Sequence, residues 1–301
     1  MKAIQFCHFG ATSELHLADV EVPQPGPGQV RIRVHAAGVN ALDGKIRSGA
    51  MSAVFPTQLP SIPGIELAGT VDAVGEGRVD LAVGDAVFGW SDSGSYAEYA
   101  LATTVAAKPS SLGWHEAVAL PVAGETAVRV LDLLEVTDGD TVLLHGAAGA
   151  VGTLAIQLAV SRGATVIATA GPANQDYLTS LGATATLYGE GLVDRVRALA
   201  PRGVDAVFDV AGKGALDDSI TLRGGTDRIV TIADFRAAQV GVTFSAGPVQ
   251  QTADTLVALA RDAGAGKLVT TITTFPLEQA AAAQDASDAG HVKGKLALIV
   301  G

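Results

Sequence analysis

The chain has 301 residues, 48% apolar and 17% charged, enough for one large or two ordinary domains with their own cores, which excludes wholesale disorder. Its formal charge of −11 argues against a nucleic-acid or anionic-membrane surface. One cysteine, Cys7, excludes an internal disulfide and a multi-cysteine metal site, and no apolar run reaches the length of a membrane span.

Met1–Phe6 reads as a strand rather than a signal peptide, so a cytoplasmic protein is expected. Cys7 reads as a small apolar residue in or beside that strand. The turn-forming Pro23-Gln-Pro-Gly-Pro-Gly precedes residues 29–36, whose apolar and polar side chains alternate as in a half-buried strand. Asp43 and Arg47 stand four apart in an expected helical turn and read as an ion pair. Residues 66–75, 84–89 and 95–102 give further strands between glycine turns, the pattern of a small barrel.

From about Ser110 helix and strand alternate. The apolar strand at residues 141–145 runs into Gly146, Gly149 and Gly152, and a helix follows with Val151, Leu154, Ala155 and Leu158 on one face. Gly163 stands where that helix needs a C-terminal glycine. Small residues let the backbone approach a pyrophosphate, and the helix N-terminus receives its charge. Three glycines alone are a weak signal; the strand before and helix after strengthen it. Ala148, Gly149, Ala150, Val151 and Gly152 are therefore the candidate pyrophosphate-binding residues.

The next strand, residues 165–170, ends at Ala170 and Gly171, where an NAD site places an acid on the adenine ribose. The first carboxylate comes only at Asp176, so NADP(H) is favoured over NAD and a methyltransferase reading is weakened. No Arg or Lys follows in residues 171–177 to pair with a 2′-phosphate, and the margin should be shallow; Asn174 and Tyr188 are neutral donors that could partly substitute. Helices at 175–181, 192–199 and 215–222 alternate with strands at 184–187, 204–210 and 228–233, making a parallel doubly wound sheet. Ala211, Gly212, Ala233 and Asp234 end two of these strands, on the side where such folds hold the cofactor. A strand at 268–274, a helix at 277–288 and a strand at 295–300 are expected to close back onto the first domain.

The order Gly38-Val-Asn-Ala-Leu-Asp-Gly, Pro63-Gly-Ile-Glu-Leu-Ala-Gly, Gly84-Asp-Ala-Val-Phe-Gly, Gly94-Ser-Tyr-Ala-Glu-Tyr, Ala123-Gly-Glu-Thr-Ala, the glycine turn, Phe275-Pro-Leu-Glu and Gly290-His-Val-Lys-Gly-Lys resembles a zinc-free medium-chain dehydrogenase/reductase of the quinone oxidoreductase type. The resemblance spans nearly the whole chain. It implies an α/β protein: a GroES-like β-barrel substrate domain (1–112 and 265–301) around a Rossmann cofactor domain (113–264), with the active site in the cleft between them and a homodimer formed through the sheet edge at residues 228–244. In the family's zinc alcohol dehydrogenases a cysteine stands at the position of Asn40 and a histidine at that of Ile65; of that set only Glu66 remains here. His8, His16, His35, His115, His145 and His291 show no paired metal spacing and read as surface or turn residues, so no metal is expected. Asn40 is a candidate for a substrate oxygen or the nicotinamide ribose, or else fixes a turn. Thr126 resembles the residue beside the nicotinamide, with a plain helix threonine as the other account. Lys45 is a candidate cleft residue or a solvated lysine, and Trp90 a flat wall for a planar acceptor or a packing residue.

Zinc supplies the Lewis acid that makes an alkoxide accessible. Without it, a conjugated acceptor is the better substrate, because a quinone or enone spreads the charge that hydride brings. The reading is NADPH-dependent reduction of a quinone or α,β-unsaturated carbonyl, with no catalytic acid identified and the proton drawn from water. Two alternatives stand beside it. One is a biosynthetic enoyl reductase on a tailored or carrier-bound intermediate, for which Lys45 and Arg47 offer a thin basic rim; the other is a nucleotide-binding protein without turnover.

Overall fold

The computed structural model describes residues 1–245, 247 and 252–301. The chain opens with β1 (Lys2–Gln5) and β2 (His16–Asp19), an antiparallel pair. Cys7, just past β1, is exposed rather than part of the core. Then come β3 (Val30–Val39) and α1 (Ala41–Arg47). The sheet continues with β4 (Glu66–Val74), β5 (Ala86–Trp90), β6 (Tyr99–Ala102) and β7 (Val105–Ala107). β3 outruns its expected end because Ala36–Val39 are buried on both faces, which ends the alternation without ending the strand. The strand expected at 95–102 is shorter: the Ser95 and Tyr96 N–H groups donate to the Pro63 carbonyl, and both residues sit buried in a turn. The short α2 (Trp114–Ala117) and then α3 (Pro121–Leu133) follow.

The next run is β8 (Thr141–His145), α4 (Ala150–Ser161), β9 (Thr165–Ala170), α5 (Gln175–Ser180), β10 (Thr184–Leu187), α6 (Leu192–Leu199) and β11 (Ala206–Asp209). It ends with α7 (Leu216–Arg223), β12 (Ile229–Thr231), α8 (Ala237–Val240) and β13 (Thr243–Phe244). The six strands lie in the order β10-β9-β8-β11-β12-β13 and every neighbouring pair is parallel. From β8 the chain steps outward through β9 to β10 and then crosses to β11 on the other side of β8. That reversal is the topological switch point, where such sheets hold ligands at their strand carboxyl ends. Leu143, Ile167, Val207 and Ile229 of the sheet pack with Leu192, Val196 and Leu216 of the helices.

The chain returns through α9 (Ala253–Gly264), β14 (Ile272–Pro276), α10 (Ala280–Ala289) and β15 (Lys295–Ile299). β15 pairs antiparallel with β3 and parallel with β14, completing a seven-stranded sheet with the order β14-β15-β3-β4-β5-β7 and β6 on β3. Ile32, Val34, Leu67, Val71, Leu296, Leu298 and Tyr96 share its core. α9 is absent from the sequence reading, although Leu256, Leu259 and Ala260 bury one face at helical spacing. The strand expected at 268–274 begins only at Ile272. Two compact units result: Met1–Val122 with Gln251–Gly266 and Thr271–Gly301, and Ala123–Gln250 with Lys267–Thr270. Against the expected division at 112/113 and 264/265, α2 and α9 fall with the barrel strands.

Candidate functional site

In the second unit the three glycines of the turn do three different jobs. Gly146 holds φ +71, the left-handed region, and a Cβ there would stand 3.0 Å from the Ala211 backbone nitrogen. Gly149 is the N-cap of α4 with extended backbone, and a Cβ would meet nothing nearer than the Gly146 carbonyl oxygen at 3.8 Å. A Cβ on Gly152 would fall 2.5 Å from Ala147 Cα, so this glycine lets helix and turn pack. The first intrahelical bond runs from Thr153 N–H to Gly149 O. Ala150, Val151 and Gly152 therefore present first-turn N–H groups that have no partner within the helix. Open space at Gly149, with helix N–H groups beyond it, is the geometry of an anion cradle.

At the end of β9, Ala170 is buried and Gly171 half-buried. Gln175 Nε2 donates to the carbonyls of Ala170 (2.9 Å), Gly171 (3.2 Å) and Thr186 (3.3 Å), tying the ends of β9 and β10 together. The Tyr188 hydroxyl stands 3.8 Å from where a Gly171 Cβ would be, and Asn174 N–H bonds the Gly171 carbonyl. The Tyr188 hydroxyl thus stands beside Gly171, while the Asn174 contact there is made by its backbone. The Arg195 guanidinium, which the sequence reading passed over, donates to the carbonyls of Leu187 (2.9 Å) and Glu190 (2.7 Å) and so pins the loop that carries Tyr188.

The ends of β11 and β12 lock onto each other. Asp209 Oδ1 accepts from Ala211 N–H (2.9 Å) and Gly212 N–H (3.0 Å), while the Thr231 hydroxyl donates to Asp209 Oδ2 (2.8 Å) and accepts from Ala233 and Asp234 N–H. Gly212, at φ +60, would clash with Ala233 if it carried a Cβ. The Asp234 carboxylate is committed to Arg236. Thr126 is nearly buried on α3 beside the Glu125–Arg129 ion pair, and burial pushes the Glu125 carboxyl up against the pull of Arg129. His145 is no surface residue: it is buried in β8 between the Thr169 and Ser219 hydroxyls at 3.2 Å each, and burial lowers its pKa.

In the first unit Asn40 caps α1 with its N–H donating to Asp43 Oδ2 (2.8 Å). Its side chain lies between two buried charges: Nδ2 donates to Glu66 Oε1 (2.8 Å) and Oδ1 accepts from Lys295 Nζ (2.5 Å). Lys295 also bonds Glu66 directly, and Glu66 Oε2 accepts from the Val122 N–H at the start of α3 (2.8 Å). Lys295 read as the polar start of a strand; its place beside Glu66 has no local signature. The expected Asp43–Arg47 pair does not form. Asp43 is buried and bonds the Tyr96 hydroxyl (3.0 Å), and Arg47 reaches Gln284 (2.6 Å) and Asp288 (2.9 Å) on α10 instead. Burial pushes the Asp43 carboxyl up to about 7. Lys45 is exposed, whereas Trp90 at the end of β5 is only 5% exposed. His35 is half-buried, its ring 4.5 Å from that of Trp114.

Residues 26–121 match the family domain described as alcohol dehydrogenase GroES-like, and residues 150–257 match the zinc-binding dehydrogenase domain. A quinone oxidoreductase of Sus scrofa is 30% identical over all of this chain and 98% of its own. The chain belongs to the medium-chain dehydrogenase/reductases, in their quinone oxidoreductase type. Among solved structures, the quinone oxidoreductase of Coxiella burnetii is similar with a TM-score of 0.91 and 35% identity, covering 100% of this chain and 99% of that one. A mycobacterial protein solved in complex with NADPH has a TM-score of 0.88 and 30% identity, covering 99% and 100%. Zinc, the metal of the second domain's description, does not fit the residues of this medium-chain dehydrogenase/reductase. Asn40 and Ile65 are not zinc ligands, Glu66 is spent on Lys295, Asn40 and Val122, and no group of three or more His, Cys, Asp or Glu among the described residues could hold a metal. No helix among the described residues is long and apolar enough to cross a membrane.

Proposed function

We propose that this chain is an NADPH-dependent reductase that works without a metal in the cytoplasm and passes hydride to a quinone or an α,β-unsaturated carbonyl. The observation that carries the reading is the open cradle at Gly149 on the N-terminus of α4, at the switch point of a parallel sheet. The residues present fit a dinucleotide. Ala148–Gly152 would receive the pyrophosphate, and Gly171, Asn174 and Tyr188 would receive the adenosine end without an acid to repel a 2′-phosphate. Thr126, Ala211, Gly212, Ala233 and Asp234 are assigned to the rest of the cofactor, the last four through their backbone. The NADPH held by the mycobacterial relative supports this choice.

When bound, NADPH supplies the hydride. The chain's own part is to orient the acceptor and donate to its oxygen, for which Asn40 is the candidate, with the exposed Lys45 on α1 as a second. A conjugated acceptor needs no Lewis acid, which agrees with donors around Asn40 that do not suit zinc. No side chain of the chain is assigned as the acid, and water supplies the proton. Pairing of two copies through β13 is part of the proposal.

Stopped-flow oxidation of NADPH against a panel of quinones, alkenals and cyclic enones tests it. Rapid turnover with at least one class, unaffected by a chelator, is the expected result. Tight NADPH binding with no turnover would leave a nucleotide-binding protein, and turnover only with a carrier-bound enoyl substrate would leave a biosynthetic reductase.

A further inference from the structure

We infer that Lys295 and Glu66 lock the Asn40 side-chain amide so that it offers one N–H in a fixed direction to the reaction, which makes Lys295 a positioning residue. The inference rests on the proposed role of Asn40 at the acceptor oxygen or nicotinamide ribose.

The lock is built by three strands. Asn40 follows the end of β3, Glu66 opens β4 and Lys295 opens β15. Gly38 makes the meeting possible, because a Cβ there would lie 2.1 Å from Glu66 Oε1. Glu66 and Lys295 are 0% and 1% exposed, so water does not compete for their bonds. An ammonium can only donate and a carboxylate can only accept. Asn40 Oδ1 must therefore face Lys295 Nζ, at 2.5 Å, and Nδ2 must face Glu66 Oε1, at 2.8 Å. A flipped amide would set oxygen against carboxylate and N–H against ammonium, two repulsions in a buried place. The backbone is held as well, by Asn40 N–H on Asp43 Oδ2.

Nδ2 carries two hydrogens and Glu66 takes one. No bond among the described residues takes the other, and Asn40 is half-exposed, unlike the pair that grips it. The planar amide fixes where that second hydrogen points. Stability alone is a poor account of the arrangement, because a buried Lys–Glu pair is often no better than well-packed apolar residues of the same size. A pair that must hold an amide against rotation has a reason to be ionic.

The test combines exchange and kinetics. Lys295→Met with Glu66→Gln removes the lock without leaving a lone buried charge, and its melting curve reports whether it folds. In wild type, nitrogen-15 spectra should show an Asn40 side-chain amide, identified by its loss in Asn40→Ala, exchanging at least ~10-fold slower than a free amide; in the double variant that protection should vanish. The turnover number at saturating NADPH and acceptor should fall about 10- to 100-fold in the double variant, and by a similar factor in Asn40→Ala. The triple variant should lose no more than either, because all three act through one N–H. Losses that multiply in the triple variant would make Lys295 merely structural and overturn the inference. An unprotected amide in wild type would overturn it too, with turnover intact. Wild type that oxidises NADPH with none of the acceptors offered overturns the proposed function instead, and the lock is then decided by the exchange measurement alone.

Discussion

Gly149 and Gly152 look interchangeable in the sequence, and the structure separates them. At Gly149 the backbone is extended and a Cβ meets only an ordinary contact at 3.8 Å, so Gly149→Val should fold normally. Its methyl groups would fill the space before the α4 N–H groups. The expected outcome is a melting temperature within about 2 °C of wild type and NADPH binding weakened ~100-fold or more. Gly152→Val should instead lose stability, since its Cβ would fall 2.5 Å from Ala147 Cα, and the damage would be to packing before it is to binding. Melting curves beside NADPH titrations read both; undiminished affinity in folded Gly149→Val would show that the turn is no cradle. Gly171 makes a second residue-scale test. It is unstrained, with only the Tyr188 ring and hydroxyl nearby, so Gly171→Asp can be accommodated. Wild type should prefer NADPH by roughly tenfold, about 1.4 kcal/mol, because an acid is missing and no basic residue in 171–177 replaces it. The new carboxylate should reverse that ratio by repelling the 2′-phosphate, and Tyr188→Phe should weaken NADPH more than NADH. Titrating both cofactors decides it, and a ratio unmoved by Gly171→Asp would put the adenosine end elsewhere.

Among the elements, α1 carries the clearest pH dependence. Asp43 is buried on it, bonded to Asn40 N–H and the Tyr96 hydroxyl, with Lys295 and Glu66 facing it, and its carboxyl is pushed up to about 7. The folded state therefore holds a proton that the unfolded state releases above pH 4. Stability from this group is complete below that pH and is lost as pH rises to about 7, by at most roughly 4 kcal/mol. Asp43→Asn mimics the protonated acid, so its unfolding free energy should be flatter between pH 4 and 7 than that of wild type. Denaturant titrations across that range check this, and equal slopes would refute it. α1 also shows what the sequence could and could not reveal. The β8–turn–α4 unit was legible because its signal is local, a strand, spaced glycines and a helical stripe within some twenty residues. The Asp43–Arg47 pair was wrong because helical spacing says nothing of a partner 241 residues away on α10. The Asn40–Glu66–Lys295 lock was invisible for the same reason, its members 26 and 229 residues apart. Strand ends erred where burial on both faces erased the alternation, as in β3.

For the whole molecule, the edge of the parallel sheet sets the expectation, since among the described residues no strand pairs with β13 on its far side. β13 is the last strand in the six-strand order, and beside it Phe235 and Phe244 stack with ring centroids 5.3 Å apart while Phe235 remains 64% exposed. An unpaired edge beside an exposed aromatic side chain, Phe235 resting on the partly buried Phe244, is a surface that folded proteins usually cover. A second copy related by a two-fold axis would cover it with the same surface, extending the sheet from one chain into the next. Sedimentation at micromolar concentration should then give a species of about twice the 30.3 kDa chain. Each copy carries a charge of −11, so the association should weaken at low salt and strengthen as the repulsion is screened toward physiological ionic strength. Phe235→Asp should shift the equilibrium to the single chain. If NADPH binds within one copy, its affinity per chain should stay unchanged in that variant. A 30 kDa species for wild type in both salts would remove the edge from consideration, and a dimer indifferent to Phe235→Asp would move the interface to another face.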